Sequence, residues 1–87
     1  MSAPRRAPDP RVQALAERAR AAIEAAEAAG ELPTDRAEWM AAAAQDIADG
    51  RLAAEASVHG VRSAITLRAN ELICMGPLVS DREIPAF

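Results

Sequence analysis

The chain has 87 residues, a formal net charge of −3 and 51% hydrophobic residues. That length allows one domain with a small core, and the acidic balance speaks against a protein that coats nucleic acid with positive charge. The lone cysteine, Cys74, excludes an internal disulfide and a cysteine metal site.

No apolar run approaches the ~20 residues that span a bilayer, and the N-terminus lacks the apolar core of a signal peptide. A reducing, cytoplasmic location is expected. All ten basic residues are Arg, and Lys and Tyr are absent. With so much alanine, this composition looks like GC-rich coding and points to a bacterium or its phage.

Met1–Pro8, MSAPRRAP, reads as a proline-rich basic arm, expected to be disordered through residue 9. Asp9-Pro10 is a helix start: a carboxylate at the N-cap, then proline at the first helical position. Helix 1 is predicted from Pro10 to Ala29, stopping at Gly30, with Val12, Leu15, Ala19, Ile23 and Ala26 on its apolar face. The short connector Glu31–Thr34 makes helices 1 and 2 antiparallel neighbours. Asp35 and Glu38 have capping-box spacing, with Thr34 as the alternative cap. Helix 2, Asp35–Asp49, turns Met40, Ala43, Ala44 and Ile47 inward, places Trp39 at the margin and ends at Gly50.

Arg51–Met75 is the only long stretch with large apolar residues on two sides. At helical spacing Ala54, Val58, Val61, Ile65, Ala69 and Leu72 form one stripe, and Leu52, Ala56, Leu67 and Cys74 form a thinner one opposite. A helix with two apolar stripes packs on two sides, so this one is expected at the centre of the bundle. Gly76-Pro77 closes it. Gly60 costs about 1 kcal/mol against alanine in a helix interior. Either a neighbouring backbone packs closely there or the helix breaks. Large apolar side chains are too few to offset the ordering of the whole chain. The alanines must contribute through close helix contact, or a partner must, and a homodimer is expected.

The sequence therefore predicts an all-α fold: a small three-helix antiparallel bundle over residues 10–77 with an irregular C-terminal tail. In that tail, Leu78–Phe87, Pro85 forbids a useful helix. Leu78, Val79, Ile84 and Phe87 are expected to fold back on the bundle or onto a second copy.

Charge comes in blocks. Residues 1–20 carry a net of +3, residues 21–50 a net of −6 with Arg36 as the only cation, and residues 51–87 balance at zero. Glu24, Glu27, Asp46 and Asp49 lie toward helix C-terminal ends, where the macrodipole disfavours negative charge. The acidic block is either a solubilising face or a surface for a basic partner. A candidate polar strip, His59, Arg62, Thr66 and Asn70, runs along the third helix with Arg51, Glu55 and Ser63. His59 has no second histidine or cysteine at ligand spacing, so no metal site is expected. Glu55, His59 and Ser63 fall on one side by a spacing common on any helix, and no short catalytic signature occurs. No catalytic residue, metal or cofactor is expected.

Two resemblances add to this. Helix 2 with Asp46, the turn Asp49-Gly50-Arg51, Ala53-Ala54, His59, Ala64, Ala69 and Gly76 resemble, over residues 35–77, the central antiparallel helix pair of the HEPN superfamily. Those are helical-bundle proteins of bacterial toxin–antitoxin and nucleotide-related systems. Its ribonucleases place a His four to six residues after an Arg. Here Arg51 precedes His59 by eight and no His follows Arg62, so the resemblance implies a non-catalytic version. Leu52–Leu67, with Ala56, then Gly60 four residues later and then Val61, resembles a helix-turn-helix unit in which Gly60 makes the turn and Arg62, Ser63 and Arg68 lie on a recognition helix. The expected role is a non-enzymatic protein-interaction module, inhibitor or antitoxin-like, binding through Glu24, Glu27, Glu31, Asp35, Glu38 and Trp39. The alternative is a dimeric helix-turn-helix DNA-binding protein. The expected partners are a protein of basic character and a second copy of the chain, with nucleic acid ranked behind them and no membrane.

Overall fold

The computed structural model describes residues 9–73 and 79–87. The basic arm Met1–Pro8 and the segment with Cys74, Met75, Gly76-Pro77 and Leu78 lie outside the described residues. Three helices follow one another: α1, Pro10–Ala28; α2, Thr34–Ala48; and α3, Val58–Ile73. A short 3-10 helix, Asp81–Glu83, lies in the tail. The fold is an all-α, three-helix bundle.

α1 begins as its sequence dictates. Asp9 caps it, its carboxylate accepting from the Arg11 N–H at 2.9 Å, and Pro10 supplies the first turn. α1 and α2 end alike. At each end a glycine sits in the left-handed region, Gly30 at φ 75° and Gly50 at φ 76°. The N–H groups of Gly30 and Glu31 reach back to the Glu27 and Ala26 carbonyls, and those of Gly50 and Arg51 to the Ile47 and Asp46 carbonyls. This double bond satisfies carbonyls that a helix end would leave bare and turns the chain sharply. At the start of α2 the expected caps do not form. Pro33 holds the N-cap position without a side-chain bond, and Asp35 Oδ1 accepts from the adjacent Arg36 N–H instead of closing a box with Glu38.

α2, not the third helix, is central. α1 and α3 each pack on it and touch one another little. Half of the buried core is alanine: Ala16, Ala19, Ala26, Ala37, Ala43, Ala44, Ala48, Ala64 and Ala69 sit among Val12, Ile23, Leu32, Met40, Ile47, Val61, Ile65, Val79 and Ile84. Such small side chains let backbones approach closely, which is how a chain with few large apolar residues closes its core.

The expected rod from Arg51 to Met75 does not exist. Residues 51–57 are irregular and α3 starts at Val58. Ser57 caps it, its Oγ accepting from the Gly60 N–H at 2.9 Å while its carbonyl accepts from Val61 N–H at 3.0 Å. Gly60 is therefore in the first turn and breaks nothing. It is glycine because the Glu55 backbone lies against it: a Cβ there would stand 2.8 Å from the Glu55 carbonyl oxygen. Val61, Ile65 and Ala69 of the first stripe are buried. The second stripe is not a packed face, since Ala56 precedes the helix and is exposed and Leu67 is 66% exposed.

The tail returns across the bundle and buries Val79 and Ile84. Burial of these two, with Phe87 half-covered, contributes roughly 5 kcal/mol. Its hydrogen bonds and one ion pair add roughly 5 kcal/mol. Ordering residues 79–87 costs roughly 13 kcal/mol. The two sides agree to within a few kcal/mol, so docking of the tail lies near balance.

Candidate functional site

The acidic residues of the middle block divide into two groups. Glu24, Asp46 and Asp49, toward the C-terminal ends of α1 and α2, have partners. Asp46, with only 15% of its side chain exposed, meets Arg68 Nε at 2.9 Å and Arg51 Nη1 at 3.7 Å. One carboxylate thus ties the end of α2 to the irregular segment and to α3, and the two guanidinium groups offset its unfavourable place on the helix dipole. Arg68 also reaches Glu71 at 3.0 Å, and the bonds to Asp46 and then Glu71 raise its pKa above the usual arginine value. Asp49 accepts from Gln45 Nε2 at 2.8 Å. Gln45 in turn accepts from Arg20 Nη1, and Arg20 Nε lies 3.4 Å from Glu24.

The second group surrounds the α1–α2 turn: Glu27 in the last turn of α1, Glu31 in the loop, Asp35 and Glu38 at the start of α2. Glu31, Asp35 and Glu38 are exposed and Glu27 is half-buried. Among the described residues Glu27, Glu31 and Glu38 make no side-chain hydrogen bond or ion pair. Arg36 is on the same turn of α2 but is committed elsewhere, with Nη1 2.6 and 2.7 Å from the two Glu83 oxygens. Trp39 is half-buried and packs on the core. Five of the six predicted binding residues thus share one end of the hairpin; Glu24 stands a turn back along α1, paired to Arg20.

The predicted polar strip has a structural use. Asn70 holds the Val79 backbone by both its N–H and its C=O, and the Thr66 hydroxyl donates to Asp81. The Arg62 guanidinium lies 5.9 Å from the centre of the Phe87 ring, within cation–π range, and its buried Nε finds no acceptor among the described residues. His59 is exposed and lines a shallow cleft of about 290 Å³ with Glu55, Gly60, Ser63 and Leu67. Among the described residues, no three His, Cys, Asp or Glu side chains come together as a metal-ligand group. No helix among them is long and apolar enough to cross a membrane.

No family model, curated protein or solved structure matches this chain.

The geometry also removes the helix-turn-helix unit expected over Leu52–Leu67. Its first helix would need residues 52–59, which are irregular up to Ser57, and its turn would need Gly60, which lies inside α3. Arg68, expected on a recognition helix, spends its charge on Asp46 and Glu71. Sequence reasoning missed Asn70, Glu83 and Ser57 as fastenings. Ser57 carried a signal, a capping residue directly before the spaced Val58, Val61 and Ile65. For the Arg36–Glu83 pair, 47 positions apart, no local signal exists.

Proposed function

We propose that this chain is a non-enzymatic protein-interaction module, of the inhibitor or antitoxin-like kind, that presents the α1–α2 turn to a basic protein surface. One observation carries this reading. Arg36, the only cation between residues 21 and 50, is drawn to the tail carboxylate of Glu83. Among the described residues, the carboxylates of Glu27, Glu31 and Glu38 are left without a cation of their own. Like charges gathered on one turn repel, and a cationic partner relieves that repulsion as it binds. The left-handed Gly30 and the backbone bonds donated by the Gly30 and Glu31 N–H groups fix the turn, so little ordering is needed on binding. The resemblance to a non-catalytic HEPN-type helix pair points to the same class of role.

The test is affinity capture on the full chain, repeated with Glu27→Lys/Glu31→Lys and with Glu17→Lys as a control away from the turn. The expected partner is a basic protein. Its affinity falls about tenfold or more in the double reversal, as rim charges set encounter and salt dependence, and stays unchanged in the control. A captured protein indifferent to the reversal overturns the reading, as does capture of nucleic acid alone.

A further inference from the structure

The tail is fastened by side chains that belong to two other elements. Asn70 on α3 treats Val79 as a neighbouring strand would: Nδ2 donates to its carbonyl at 3.2 Å, and Oδ1 accepts from its N–H at 2.5 Å. One turn back, Thr66 donates to Asp81. From α2, Arg36 reaches Glu83. Beside these anchors Val79 and Ile84 enter the core at 2% and 4% exposure. Each contact is complete within residues 79–87 on one side and α2 or α3 on the other. None of them uses the covalent link between tail and helix.

We propose that the surface formed by α2 and α3 is a receptor for an acidic–apolar segment, and that the tail of a second copy of this chain takes the place of the chain's own. The groove sets the occupant by its chemistry. It offers a cation at Arg36, a paired amide at Asn70, a hydroxyl at Thr66 and apolar room between them. Residues 79–87 satisfy all of these, and a second copy brings the identical segment. Two chains that exchange tails keep every contact each had alone, which makes exchange a low-cost route to a dimer. A short tether gives an effective concentration on the order of millimolar, so a dilute chain holds its own tail. Exchange takes over where the contact within each chain is weakened and the contact between chains is not. This inference stands apart from the acidic α1–α2 turn and does not require it.

Charge reversal supplies that condition in the full chain. R36E alone and E83R alone each place like charges together, whichever chain the tail comes from. Mixed, an exchange of tails brings opposite charges together in both grooves. Sedimentation well below millimolar concentration is expected to show monomers for each variant alone. The equimolar mixture forms a dimer, with each restored pair strengthening association about tenfold. The double variant R36E/E83R stays monomeric. A mixture that sediments as two monomers, with helicity intact, overturns the proposal. Should either variant lose its helices, a labelled peptide of residues 79–87 is titrated into the wild-type chain. It is expected to bind near millimolar concentration and about tenfold more weakly when it carries E83R. No binding there, or binding indifferent to E83R, overturns the proposal equally.

Discussion

Gly60 shows how one residue can reverse the sign of a rule. In an exposed helix interior, glycine to alanine stabilises by about 1 kcal/mol because the unfolded chain has less freedom to lose. At position 60 an added methyl would stand 2.6 Å from the Glu55 Cβ and 2.8 Å from its carbonyl oxygen. Backbone cannot step aside as a flexible side-chain end can, so the connector would be forced off α3. Gly60→Ala is expected to destabilise by about 1–3 kcal/mol, the range for overpacking, read as a lowered urea midpoint with an unchanged slope. A rise in the midpoint would mean that residues 51–57 do not press on α3. Sequence alone offered two accounts of this glycine, close packing or a break. It could not choose, because the atom that decides belongs to the irregular segment.

At the scale of the element, helix ends were better read than helix identity. Asp9-Pro10, Gly30 and Gly50 act locally, through one carboxylate or one left-handed residue, and all three are where the spacing put them. Residues 51–57 were misread for the opposite reason. Leu52, Ala53, Ala54 and Ala56 favour helix, but Leu52 and Ala54 pack on the core and Arg51 is drawn to Asp46. Tertiary contact overrides a weak local preference there. The start of α1 yields a pH prediction. The bonds from Arg11, side chain first and backbone second, hold the Asp9 carboxyl below its ordinary value of 3.8. A carboxylate whose folded pKa is lowered stabilises fully above its unfolded value and loses that contribution as pH falls toward the folded one. The stability difference between wild type and Asp9→Ala, measured by urea unfolding, is expected to hold constant from pH 7 to about 5 and to shrink in more acid solution. A difference that grows in acid would contradict the cap.

At the scale of the whole molecule, the arrangement raises a question about cooperativity. α1 and α3 each dock on α2 and hardly meet. A chain so arranged could peel from either side, as stacked repeats do when each unit touches only its neighbour. The core argues otherwise. The buried side chains Met40, Ala43, Ala44 and Ile47 of α2 lie in one continuous cluster with those of α1 and α3, so losing either flank would expose apolar surface on the helix that carries the other. Asp46 adds a second tie, since one carboxylate joins α2, the connector and α3. Small single domains of this kind unfold in one step. Trp39, on α2 and packed against the core, reports the centre, while circular dichroism at 222 nm reports all three helices. In urea the two curves are expected to superimpose, with one midpoint and a slope on the order of 1 kcal/mol per molar. A helical signal that falls before the Trp39 signal, by more than the width of the transition, would show a flanking helix leaving first and the bundle to be two units sharing α2.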